Sequence, residues 1–503
     1  MSGLKKLISL VSAAAVTVSA LAVNVSALET YDPYSYDRWG DPVASQAGYT
    51  AERYVDGEMM GCGNFYEPAD MFISHDNLMY IADKGNNRIV VTDLDFNFKK
   101  EMKEFKYGGE TLTLKKPAGV YVDQYTGFIY ICDTENDRVI KCDTDGNVDR
   151  LFARPETELF DQNLTYNPNK VLVDKAGNVY VVVKSITKGA VMFDSEGNFL
   201  RFYGANRVEA TAEVIANAFW NTISTEAQRE RSARQTPVGF TNFDIDDMGF
   251  IYTVTDSQTI NTDLVKKLNP RGDNILDSIS GTSDMTFGDE PPTYYSIYSK
   301  NSSLTDIDLG PNGELNILDF QHGRIFQYDK ECWLMFIMGG SGDQLGLFQS
   351  ASAIESHDNH IYVLDARKNN ITIFTRTVFG EIVTEAANLY NAGYYEESLE
   401  PWRNVLKYDG NYRRAYIGIG NALYNRYEYE EAMKYFEISI SRVRYNKAFE
   451  GYRDIWIKAH YQICLIVIIL LIALIIVYKQ LRKRGKIVFP WEKRRRIGKG
   501  GVL

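Results

Sequence analysis

Three acid and guanidinium pairs at one spacing are the first candidates for chemistry in this sequence. Asp83 stands five residues before Arg88, Asp133 before Arg138, and Asp319 before Arg324. A guanidinium offers a planar fork of donors, so each pair can bind an anionic or sugar ligand, or it can tie its own loop together. His322 lies inside the third of these segments, and Arg367 joins the set of ligand-binding candidates further along. Phe219 and Trp220 are aromatic candidates for partner contact within a long connecting segment.

Other chemistries find less support. Histidine is scarce, with five in the chain, and His75 and His357 recur in the matching stretches Ser74-His75-Asp76-Asn77 and Ser356-His357-Asp358-Asn359. That recurrence reads as a repeat relic, and His322 by itself makes no zinc site. The five cysteines contain no CxxC pair, and Cys132 and Cys142 read as two separate buried side chains. Gly339-Gly340-Ser341-Gly342 does not follow a strand and open a helix, so it is turn glycine and not a phosphate loop. No catalytic residue and no cofactor is expected from these residues.

The elements that must position the candidates emerge from self-similarity. Met79-Tyr80-Ile81-Ala82-Asp83 with Asn86 and Arg88 returns 50 residues later as Ile129-Tyr130-Ile131-Cys132-Asp133 with Asn136 and Arg138. Further copies begin at Val179, Ile251, Leu315 and Ile361, which makes six. An apolar strand and a turn precede each copy, and another strand ending in a turn such as Asp143-Thr144-Asp145-Gly146-Asn147 follows. Strand, turn, strand, loop, strand, turn, strand is one propeller blade. The pattern D-x-x-N-x-R resembles the NHL repeat over residues 49–377, most specifically in the first two copies. That resemblance implies a six-bladed β-propeller in which the Asp and Arg pairs usually tie a loop. NHL-like lyases acting on amidated-peptide precursors use a metal-bound histidine cluster that is not reproduced here. The similar lactonase propellers hold calcium with scattered Glu, Asn and Asp, so a divalent cation is implied only through them.

The sixth copy gives way to helical sequence before a fourth strand, so Tyr49–Val55 is expected to close the ring, a covered edge being what a sheet needs. Two crossings between blades are long, 203–239 and 281–303. The first carries a helical stripe at Val208, Ala212, Ile215, Phe219 and Ile223, read either as a lid or docking helix or as a helix packed on the rim. After the ring, Gly393, Tyr395, Ser398, Trp402 and Leu406 are matched 34 residues later by Tyr427, Tyr429, Ala432, Phe436 and Ile440. This is similar to tetratricopeptide repeats and implies stacked antiparallel helices.

The ends of the chain supply a compartment. Lys5 and Lys6, an apolar run and Val25-Ser26-Ala27 form a signal-peptide layout. Ile463–Val477 is free of charge and, with Tyr461 and Tyr478, gives about 27 Å of helix, enough to cross a bilayer. Ten Lys/Arg from Lys479 onward against Glu492 place that side in the cytoplasm. The net charge is -11, so with +2 at the start and +9 at the end removed the body carries about -22. An acidic body excludes nucleic acid as a partner.

The expected organisation is a signal peptide at 1–27, an NHL-like propeller at 28–378 and tetratricopeptide-like helices at 380–450. A juxtamembrane helix at 451–460, a transmembrane helix at 461–478 and a basic cytoplasmic tail at 479–503 follow. The expected function is a plasma-membrane-anchored extracellular binding or scaffold protein that recognises a glycan, peptide or partner protein through the propeller's loop face, as an accessory to a membrane transport assembly. The competing expectation is a tethered, metal-dependent hydrolase or lyase of the lactonase type.

Overall fold

A computed structural model describes residues 30–206, 239–256, 264–276, 287–289 and 302–484. The signal segment at 1–27, Phe219, Trp220 and the rest of the 208–223 stripe, and the tail beyond 484 lie outside the described residues.

Six antiparallel sheets, five of them built from strands consecutive in the chain, form a six-bladed β-propeller. Blade one is Asp70–Ile73, Leu78–Asp83, Arg88–Asp93 and Phe98–Met102. Blade two opens on Gly119–Val122, blade three on Pro168–Val173, blade four on Asn242–Ile245, blade five on Leu304–Leu309 and blade six on Ala351–His357. Blade four has three strands among the described residues. Second strands such as Ile129–Asp133 and Val179–Val183 are buried at every position. Both sides of such a strand face a neighbouring blade, which is why these runs are continuously apolar and β-branched instead of alternating.

Turn chemistry is local. The Asp143 carboxylate accepts from the N–H groups of Asp145 (2.9 Å) and Asn147 (2.8 Å), while Gly146 takes φ +79°. The turns at Asp174 and Asp194 repeat this arrangement, with Gly177 and Gly197 at positive φ. An aspartate that bonds its own backbone and a glycine free of the Cβ penalty fix the hairpin register.

Closure of the ring follows the sequence expectation. Tyr49–Asp56 pairs with Asn370–Arg376, from Asn370 opposite Asp56 to Arg376 opposite Tyr49. The loops between second and third strands and the crossings between blades share one face, the loop face. The turns between first and second and between third and fourth strands form the opposite turn face, where His75 and His357 fall.

The last strand of blade six delivers the chain to the turn face, where helix α1 (Val378–Asn391) starts with Thr377 as its cap, accepting from the Gly380 N–H at 3.0 Å. Helix α2 (Leu399–Tyr408) and the start of α3 (Arg413–Asn425) complete the attachment to blade five. Phe379 meets Phe336 at 6.0 Å between ring centres, and the Tyr412 hydroxyl donates to the Met335 carbonyl at 3.0 Å. Buried Arg414 pairs with Asp329 at 3.2 Å and lies over the Trp333 ring at 4.7 Å.

Residues 1–415 and 416–503 are two compact units. In the second, α4 (Tyr429–Ile438) packs Phe436 against Gly420, where an added Cβ would stand 2.5 Å from the ring. Helix α5 (Arg442–Lys483) breaks its helical geometry at His460, whose ring stacks on Trp456 at 4.6 Å. Leu465–Lys483 is long and apolar enough to cross a membrane. Cys62, Cys132, Cys142 and Cys332 are free thiols, Cys132 and Cys142 standing out of register on neighbouring strands.

Candidate functional site

The propeller axis is built by the inner strand of each blade, and its chemistry is uneven. Asp70, Gly119, Lys170, Asn242, Asp306 and Ala353 hold one equivalent position around the ring, opposite Ala82, Cys132, Val182, Val254, Leu318 and Leu364 of the second strands. Lys170 of blade three ion-pairs with Asp70 of blade one and lies 3.8 Å from Asp306 of blade five, so its side chain bridges blades that are not neighbours. Asn242 donates to Asp306 as well. This level of the channel is closed by polar groups that satisfy one another.

Two residues further along each inner strand stand Phe72, Tyr121, Leu172, Asp244, Asp308 and Glu355. Half of that ring is apolar, with Phe72 and Tyr121 at 4.8 Å between ring centres, and half carries three carboxyls. Burial, reinforced by Asp308, pushes the Asp244 carboxyl up to about 8. Burial raises Asp308 to about 6 despite hydrogen bonds from Ser356 (2.5 Å) and Asn316 (2.7 Å). Glu355 is pushed well above the carboxylate range by burial and then by Asp308 and Asp244. Burial likewise lifts Asp306 to about 7 against the pull of Lys170.

These carboxyls also have a structural task. Asp70 accepts from the Val120 N–H (2.9 Å), Asp244 from Leu309 (2.8 Å), Asp306 from Ile354 (2.8 Å) and Glu355 from Ile73 (3.1 Å). Each bond runs from one blade to the channel-edge amide of the next, an amide with no ladder partner of its own. Sequence reading missed all of these residues. The signal was present in the repeat register, since Asp70, Lys170 and Asp306 are equivalent, but reading each inner strand simply as apolar hid it.

On the loop face the acid and guanidinium pairs take different forms. Every N–H of the Arg88 guanidinium has an acceptor: Asp83 (2.7 Å), Glu101 (3.0 Å) and the carbonyls of Cys62, Gly63 and Asn64. Arg138 is held by Asp133 (2.8 Å) and the Thr113 carbonyl (3.2 Å). In both loops a left-handed residue, Asn87 or Asp137, follows a short 3₁₀ turn and brings the arginine back to its aspartate.

The third pairing differs from the expectation. Arg324 does not meet Asp319; it donates to Asp289 from the preceding crossing and lies over the Tyr34 ring at 5.2 Å. His322 stands where the other loops have asparagine, and its Nδ1 takes the Asp319 carboxylate at 2.7 Å. Among the described residues, Asp289, Asp319 and His322 are the group of metal-type ligands that converge. Asp289 also accepts from the hydroxyls of Tyr34 and Tyr36, so its charge is already matched by donors.

Arg367 occupies the corresponding loop of blade six, where Asp365 is saturated by backbone N–H groups including those of Gln349, Arg367 and Lys368. Exposed Arg367 lines a cavity of about 340 Å³ between blades five and six, together with Phe320, Gln321, Ser341, Phe348 and Gln349. Phe320 is half-exposed. Gly323 must lack a side chain here, since a Cβ would come 2.7 Å from the Gly340 carbonyl of the crossing. Arg367 and His322 were legible as candidates, whereas Phe320 and Gln349 were not, because their neighbourhood depends on how two blades meet.

No family model matches the chain. A stretch of 145 residues, 29% of the chain, is 27% identical to the brain tumor protein of Drosophila melanogaster and spans 13% of it. Among solved structures, virginiamycin B lyase from Staphylococcus aureus shares 11% identity over 62% of this chain and 95% of its own, with a TM-score of 0.37. Hydrazine synthase from Kuenenia stuttgartiensis shares 11% over 66% and 99%, with a TM-score of 0.40. A putative gluconolactonase shares 11% over 69% and 98%, at 0.39. Likenesses at this level carry no argument about activity.

Proposed function

We propose that this chain is a membrane-anchored recognition protein: an NHL-like propeller that binds a glycan, peptide or partner protein on its loop face, carried by tetratricopeptide-like helices on a single membrane helix. The observation that supports this most is the loop-face cavity with Arg367 in its lining, while the channel behind is closed by Lys170 with Asp70 and Asp306. A signal peptide at 1–27 and the basic residues after Tyr478 put the propeller outside and the tail inside, in the plasma membrane. Two interaction-type folds on one anchor suit an accessory of a membrane transport assembly.

Crosslinking of the full-length chain in its native membrane, beside a chain lacking the propeller, tests the reading. Partners that vanish with the propeller support it, and an identical set from both chains overturns it.

The lactonase-like alternative draws on one observation, the acidic half-ring of Asp244, Asp308 and Glu355. A resident calcium ion would stabilise the folded chain by mass action, about 2.7 kcal/mol at a hundredfold excess over its Kd. The recognition reading expects the melting temperature to be unchanged by millimolar calcium, and a clear rise would favour the alternative.

A further inference from the structure

We infer that the cavity between blades five and six takes a uronic acid residue of an anionic saccharide, with the carboxylate on Arg367 and the sugar ring over Phe320. The inference rests on the recognition reading and names the ligand class for its face.

The neighbouring cation shows what sets Arg367 apart. Lys368 commits its ammonium to the carbonyls of Leu347 (2.6 Å) and Gln344 (3.2 Å), holding the crossing that forms the cavity wall. No described residue accepts from the Arg367 side chain, and no described carboxylate lies within ion-pairing distance of it. In a body of strong negative charge a guanidinium with no partner at a cavity is a local exception, and its fork matches a carboxylate in two parallel hydrogen bonds. Asp343 on the rim is held by the Gln349 amide.

The rest of the lining selects the carrier of that carboxylate. Gln321 and Ser341 offer an amide and a hydroxyl that both donate and accept, as a ring of hydroxyls requires. Half-exposed Phe320 supplies a flat apolar platform for the C–H face of a sugar. An extended peptide would need free backbone groups, and the backbone here is already paired. Gly342 donates to Phe348 (3.0 Å), Phe348 to Gly340 (2.7 Å) and Phe320 to Ser303 (2.9 Å).

Calorimetric titration of the full-length chain in detergent with trigalacturonate, and with the matching neutral trigalactoside, tests the assignment. The acidic sugar is expected to bind at least about tenfold more tightly than the neutral one, the discrimination of one charge-assisted contact. Arg367→Gln should erase that preference, and Phe320→Ala should weaken both sugars alike, with melting temperatures unchanged because both side chains are exposed. Equal affinity for the two sugars, or an Arg367→Gln chain that titrates like the unsubstituted one, overturns the inference. Absence of binding by either sugar, in a chain whose propeller still captures its crosslinked partners, overturns this inference alone. Loss of both overturns the recognition reading with it.

Discussion

Glu355 binds one amide, the Ile73 N–H, and shares its half of the channel with two other acids. Its folded pKa lies above the unfolded value, so the folded state holds the extra proton. The stability this gives is complete below the unfolded pKa and is lost as pH rises through the folded one. Asp244 sets the window, from the ordinary 3.8 to about 8. Asp93 acts in the opposite sense: its hydrogen bonds with Lys99 and Asn97 lower it to about 2, so its contribution is lost only as pH falls through that value. The melting temperature is therefore expected to fall steadily from about pH 5 to pH 9. Glu355→Gln keeps an acceptor for Ile73 and removes the charge, so it should flatten that fall and add on the order of 1 kcal/mol at pH 9. A melting series across pH checks it, and a variant with the slope of the parent chain would refute it. None of the channel acids was evident as a site in the sequence, since Asp244 and Glu355 lie more than 100 residues apart and only the ring makes them neighbours. The loop arginines were evident because the motif repeats, although Arg324 exchanged Asp319 for Asp289 through a crossing whose path no repeat encodes.

At the scale of elements, two joints hold the first unit together. One is the strand Tyr49–Asp56, which completes blade six with residues from the other end of the ring. Deleting residues 30–56 leaves the Asn370–Arg376 strand as a bare edge and should abolish the cooperative melting transition, as circular dichroism would show. The other is Arg414, which lies over the Trp333 and Tyr390 rings and is paired with Asp329. Arg414→Ala leaves Asp329 buried without its cation and should cost about 3 kcal/mol, seen as faster hydrogen exchange in α1 and α2 while blades one to three keep their protection. The closing strand was legible because blade six lacks a fourth strand in sequence. The Arg414 joint was not, since nothing in the helical pattern says which turn of the propeller the helices rest on.

The whole molecule joins a ring with a reactive-looking but self-satisfied axis to a helix that can cross a bilayer. Six copies of one blade pattern and a charge-free run made that architecture readable from the sequence, because both rest on periodicity and length. The loop-face cavity depends on inter-blade geometry and had to be seen. If Leu465–Lys483 anchors the chain, deletion of residues 461–503 should move it from the carbonate-resistant membrane fraction into the soluble one. The proposed recognition happens on the loop face. A photoreactive side chain placed at position 320 on that face, and separately at exposed position 248 on the turn face, tests it directly in the full-length chain. Partner capture from position 320 and none from position 248 is the predicted result; capture from 248 with none from 320 would contradict the account.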